Sequence, residues 1–127
     1  MVLSDVKVLD LTHFIAGPFC TKYLADYGAD VIKIEKNGAG DGARHLGPFP
    51  RDNPHPEKSG LFLFLNTNKR GITLNLKSPS GTDIVKRLAQ NADILVENFR
   101  PGVMAGLGLD YETLSKINPH LVYTSIS

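Results

Sequence analysis

Apolar and polar positions divide the chain into short blocks. Residues 6–11, VKVLDL, are rich in branched side chains and read as a strand that ends at THFIAGP. After Pro18, apolar side chains recur at Phe19, Cys20, Tyr23, Leu24 and Tyr27, the spacing of one helical face. Gly28 stands where a left-handed C-terminal cap is wanted. ADVIKIE (29–35) is the next strand. No periodicity survives in residues 37–59, which are rich in Gly, Pro, Asn and Asp, so a long surface loop is expected there. Ile72, Leu74 and Leu76 then alternate with Thr73 and Asn75, the period of a half-buried strand. Ser78 and Pro79 form a helix start, with serine as N-cap and proline in the first helical position. Ile84, Val85, Leu88 and Ala89 supply that helix with one apolar face. ADILVEN (92–98) is a third clear strand. Asp110 can cap a last helix, with Leu109 and Leu114 at the two positions of a hydrophobic staple. Pro119 ends it, and LVYTSIS (121–127) opens another strand. Strand–helix–strand repeated in this way predicts an α/β fold with a mostly parallel sheet. The final strand has no helix after it to cover the sheet, which leads us to expect an incomplete domain.

Composition narrows the class. At 127 residues the chain suits one domain, and 42% hydrophobic against 21% charged residues makes it globular rather than disordered. Fourteen basic and thirteen acidic residues nearly balance, so nothing demands nucleic acid or an anionic membrane as partner. One cysteine, Cys20, excludes an intrachain disulfide framework. The N-terminus lacks a secretory pattern and no apolar run approaches the ~20 residues of a membrane helix. The cytosol is the expected compartment, or the mitochondrion or peroxisome if the source is eukaryotic.

In open α/β sheets ligands sit beyond the carboxyl ends of the strands. The candidate surface is therefore Thr12–Pro18, Glu35–Gly40 and Glu97–Gly102. Glu35 lies 18 positions after Gly17, close to the spacing of a ribose-binding acid in dinucleotide folds, but AGPFCT is not G-x-G-x-x-G. Lys33, Lys36, Arg44, Lys69, Arg70 and Arg100 are cations near the expected crevice. Each can pair a phosphate or serve only as solvated surface. His13 follows a strand without a paired nucleophile and reads as structural. Cys20 reads as core, and the scattered histidines suggest no metal site. Asp41 and Arg44, three apart in GDGAR, can clamp each other or leave Arg44 for a ligand. Asn98 offers a donor and an acceptor and Phe99 a flat apolar face, a pair that suits a purine-like ring or, equally, a helix cap with core packing.

VLDLTHFIAGPFCTKYLADYGADVIKIEKNGAGD, LNTNKRGITLNLK and ADILVENFRPGVMAGLGLDYETLSKINPHLVYTSIS together resemble, in order and over nearly all 127 residues, the class III coenzyme A transferases (the CaiB/BaiF family, which includes formyl-CoA and carnitine CoA-transferases and α-methylacyl-CoA racemase). The resemblance implies that residues 1–127 are the N-terminal part of a large, Rossmann-like CoA-binding domain with flanking helices, the small domain being absent. It also implies an interlocked homodimer in full-length relatives, or self-association of this part alone. It implies transfer of CoA from an acyl-CoA to a carboxylic acid through an aspartyl intermediate, with CoA as substrate and no tightly bound cofactor or metal. The matching aspartate falls beyond Ser127, so no catalytic residue is expected in this chain. The CoA contacts that carry over are Ile15 and Ala16 near the thiol arm, Lys36 at the adenosine end where the family usually has Arg, Leu74, Asn75, Leu76 and Lys77, and Asn98, Phe99 and Arg100. Gly106 stands where some transferases place a CoA-binding arginine. The racemase remains the rival within the family, and an inactive CoA-binding or interaction module the rival outside it.

Overall fold

The computed structural model describes all 127 residues, Met1–Ser127. Five strands form one sheet: β1 (Lys7–Asp10), β2 (Asp30–Lys36), β3 (Arg70–Leu74), β4 (Ile94–Glu97) and β5 (Val122–Ser125). Every pairing is parallel, in the spatial order β3-β2-β1-β4-β5. This is the strand order of a Rossmann-type sheet, with the chain reversing direction across the sheet between β1 and β4. The expected α/β architecture is what the chain adopts.

Helices cover both faces. Helix α1 (Ala16–Asp26) lies on one, and α3 (Pro79–Ala89), α4 (Val103–Gly106) and α5 (Tyr111–Ile117) lie on the other. The strands alternate accordingly. Val8, Val31 and Val96 meet Ala25 and Ala29 on the α1 side. Leu9, Ile34 and Leu95 meet Val85, Ala89, Met104, Leu109 and Leu114 on the other. No helix is long and apolar enough to cross a membrane.

Helix α3 starts as its sequence dictates: the Ser78 hydroxyl accepts from Gly81 N (3.1 Å) and Pro79 occupies the first turn. A Cβ at Gly81 would overlap the Asn75 carbonyl, so glycine lets α3 approach the chain that leaves β3. Gly28, at φ +107°, closes α1 as expected.

Four expectations fail. The buried face of α1 is Gly17, Pro18, Thr21 and Ala25, while Phe19, Cys20, Tyr23 and Tyr27 are exposed. The reason is polar: the Thr21 hydroxyl donates to the buried Asp10 carboxylate (2.6 Å) and turns that side of the helix inward. Cys20 is therefore a surface residue, not core. Residues 37–59 are more than a surface loop. They hold two single turns of 3₁₀ helix, Gly42–His45 and Pro50–Asp52, and bury Asp41, Ala43 and Ser59. Residues Gly60–Leu65 form a short helix, α2, capped by Ser59. Asp110 precedes α5, but its carboxylate accepts from the Thr113 hydroxyl rather than from a backbone N–H.

Candidate functional site

Beyond the carboxyl ends of β1, β2 and β3 lies a crevice of about 630 Å³. Leu11, Ile34, Leu107 and Val103 give it an apolar floor, and Lys36, Lys77, Asn75, His13, Phe14 and Phe99 stand around it. The register explains the neighbours. Lys36 ends β2 opposite Leu74, so Asn75, Leu76 and Lys77 leave β3 directly beside it.

The turn after β1 is fixed by side chains rather than by glycines. Asn98 Nδ2 donates to the His13 carbonyl (2.8 Å), and His13 N donates back to Asn98 Oδ1 (3.0 Å). This reciprocal pair ties β1 to β4 where the sheet reverses. Phe14 follows at φ +68°, a left-handed conformation that L-residues rarely adopt. Its N–H donates to Asp41 Oδ1 (2.8 Å), and its ring lies where a side chain on Gly42 would otherwise project. Gly17 is required for packing, since a Cβ there would overlap the Thr12 side chain.

Beneath the turn lie three ion pairs. Lys69 Nζ stands 2.9 Å from Asp10 Oδ2 and donates to the Pro18 carbonyl (3.0 Å) and Asn66 Oδ1 (2.8 Å). Asp10 also accepts from Thr12 N (2.9 Å) and from the Thr12 and Thr21 hydroxyls. Lys33 Nζ donates to the Thr12 carbonyl (2.9 Å) and stands 2.8 Å from Asp41 Oδ2. That last contact is an ion pair off the line of a hydrogen bond, which leaves Oδ2 as the buried side-chain atom without an aligned donor. Arg44 grips Glu35 with two parallel bonds of 2.8 Å, the bidentate form favoured by guanidinium and carboxylate. It also stacks on Phe62, 3.8 Å from the ring centroid.

These pairs settle several sequence alternatives. Asp41 and Arg44 do not clamp each other: Asp41 takes Lys33, and Arg44 takes Glu35 and, at the surface, Glu57. Glu35 accepts from Arg44 and from Asp41 N (2.7 Å), so its carboxylate is already occupied and is not presented to a ribose. Lys33 and Lys69 are buried structural cations. Arg70 pairs with Asp30 at the opposite end of the sheet, away from the crevice. Lys36 and Lys77 are exposed and carry no ion pair, so the rim of the crevice is left with two unneutralised positive charges.

Of the residues singled out from sequence, Lys36, Asn75, Leu76, Lys77 and Phe99 line this crevice together. Leu74 packs beneath it against the core. Ile15 and Ala16 begin α1 as exposed residues beside the crevice lining, not within it. The Asn98 amide is committed to His13, so it shapes the site through the β1 turn. Arg100 faces a separate cleft of about 580 Å³ with Glu97, Asp110 and Tyr123. His13 and Phe14 belong to the Thr12–Pro18 segment expected at the ligand edge, but the sequence singles out neither as a contact and reads His13 as structural; both line the crevice. No motif announces them, because the conformation of Phe14 depends on Asp41, 27 positions away. No group of three or more His, Cys, Asp or Glu side chains is placed to hold a metal ion.

A five-stranded parallel sheet of this order, flanked by helices and with a cationic crevice at its carboxyl edge, defines an α/β domain of the Rossmann type. The family model of CoA-transferase family III matches residues 3–127, and the chain belongs to that family. It is 49% identical to the succinyl-CoA:glutarate CoA-transferase of Mus musculus over 125 residues, which cover 98% of this chain and 28% of that protein. It is 49% identical to the acetyl-CoA:oxalate CoA-transferase of Acetobacter aceti over 124 residues, 98% of this chain and 31% of that protein. Among solved structures, a CAIB/BAIF family protein from Brucella suis superposes with a TM-score of 0.86 at 39% identity, covering 96% of this chain and 32% of the other. The chain thus spans under a third of the length of these relatives.

Proposed function

We propose that this chain is the coenzyme A-binding part of an enzyme that moves CoA from an acyl-CoA thioester to a carboxylic acid. The observation that carries the reading is the crevice at the ends of β1–β3, with an apolar floor and two unpaired lysines, Lys36 and Lys77, on its rim. Phosphates of the nucleotide meet those cations, and the adenine and the pantetheine arm cover the apolar surface formed by Leu76, Phe99 and the floor. Ile15 and Ala16 border the thiol end. The relatives' names, which are those of CoA-transferases, support transfer over racemisation.

In the proposed reaction an aspartate carboxylate attacks the thioester carbonyl, expels CoA thiolate and forms a mixed anhydride. The thiolate then attacks the aspartyl carbonyl, releasing the donor's acid and leaving an aspartyl-CoA thioester. The acceptor carboxylate repeats the two exchanges in reverse and departs as the new acyl-CoA. Each step replaces one acyl–heteroatom bond by another, the advantage of covalent catalysis. The carboxylates this chain brings to the crevice are poor candidates for the nucleophile. Glu35 is held by Arg44 and Asp41 by Lys33, and Asp10, under the turn, is held by Lys69. The reading therefore assigns the nucleophile to a part of the enzyme outside these residues.

Equilibrium dialysis with CoA tests the role of the rim. Lys36→Ala should weaken binding by roughly three- to tenfold, and more at low than at high salt, because an exposed cation is screened. Unchanged affinity would remove Lys36 from the site.

A further inference from the structure

His13 occupies the one position in the crevice where a neutral polar group stands between aromatic rings. It lies at the reversal point of the sheet, its backbone held on both sides by Asn98. Its ring centroid is 5.1 Å from that of Phe14, edge to face, and 5.4 Å from that of Phe99. The imidazole makes no hydrogen bond within the protein, yet neither ring nitrogen is a fully buried orphan. Both ring nitrogens are therefore accessible, on a residue that lines the crevice. Burial lowers its pKa below the ordinary 6.5, Lys33 and Lys36 act in the same sense, and Asp41 and Asp10 oppose them. At neutral pH the ring is uncharged, with one N–H to give and one lone pair to receive.

The layout across the sheet says what such a group meets. Lys77 and Lys36 follow β3 and β2, while His13 and Phe99 follow β1 and β4. Neighbouring strands are about 4.8 Å apart, so the centres of the two pairs lie roughly 10 Å apart, with Lys36 and His13 following adjacent strands. Anions belong at the lysines. An uncharged donor–acceptor flanked by aromatic rings instead matches an amide in an otherwise apolar chain, and the pantetheine arm of CoA carries two amides. Resting on the coenzyme A reading of the crevice, we propose that the His13 imidazole hydrogen-bonds an amide of the bound pantetheine arm, with Phe14 and Phe99 packing against the chain on either side.

The test is side-chain NMR of the ¹⁵N-histidine-labelled chain, with the His13 signals assigned by their loss in His13→Gln. Saturating CoA should shift the His13 ring nitrogens. Adenosine 3′,5′-bisphosphate has the phosphates and the base but no amide arm, and should leave them in place. In parallel, His13→Phe should weaken CoA by about three- to tenfold, the worth of one neutral hydrogen bond, and leave the bisphosphate unaffected. CoA that binds without moving the His13 signals, or an equal loss for both ligands in His13→Phe, overturns the inference while the crevice reading stands. A chain that binds neither ligand overturns both.

Discussion

Asp10 and Lys69 form a buried ion pair beneath the β1 turn. Each side chain is almost wholly buried, and each has further polar partners that complete its shell. Burying two ions costs several kcal/mol per ion, which only a close pair with satisfied hydrogen bonds offsets. Removing one partner strands the other. We expect Asp10→Ala to destabilise the chain by about 3–5 kcal/mol, and the added change Lys69→Met to recover a substantial part of that loss. Urea unfolding of the single and double variants measures both, and a double variant no more stable than Asp10→Ala would show that the stranded charge is not the cause. In sequence this pairing was invisible. Lys69 read as one of six candidate phosphate ligands because nothing in N-x-N-K-R reveals that its ammonium reaches Asp10, 59 positions earlier.

At the scale of elements, the segment between β2 and α2 is bound to the sheet by Glu35–Arg44 and Lys33–Asp41. Burial alone would raise the pKa of both acids. It is outweighed at Glu35 by Arg44 and the Asp41 N–H, and at Asp41 by Lys33 and the Phe14 and Ala43 N–H groups, so both lie below their ordinary 4.5 and 3.8. A carboxylate lowered by folding stabilises fully above its unfolded pKa and loses that contribution as pH falls through the folded value. Stability should therefore drop below about pH 4.5, and Glu35→Gln, which removes one titrating group, should flatten the drop. Denaturant midpoints measured from pH 7 to pH 3 decide it, and an unaltered slope in Glu35→Gln would contradict the assignment. Local signals carried the elements that local chemistry controls: the Ser78–Pro79 start of α3, the Gly28 cap and the place of β3, although the alternation there runs on to Leu76, in the turn after the strand ends at Leu74. They failed for α1, where the apolar spacing of Phe19, Tyr23 and Tyr27 pointed to a buried face. A long-range bond from Thr21 to Asp10 turned that face outward.

For the whole molecule, the parallel sheet and the ligand edge were legible because strand–helix alternation and the rule of carboxyl-end binding need no contacts to be known. The division of the crevice into cationic and aromatic halves required the strand order. The same order leaves β3 and β5 as the two edges, with Ile72 and Val122 exposed, and α1 and α2 present Phe19, Tyr23, Leu63 and Phe64 to solvent. Open edges and exposed apolar side chains favour association, so light scattering should show mass rising with concentration. A monomer over a wide range would count against that. Calorimetric titration of the folded chain with CoA decides whether these residues bind coenzyme A. Saturable heat of binding, diminished in Lys36→Ala, is the predicted result; no heat at millimolar CoA from a sample whose fold is intact would contradict it.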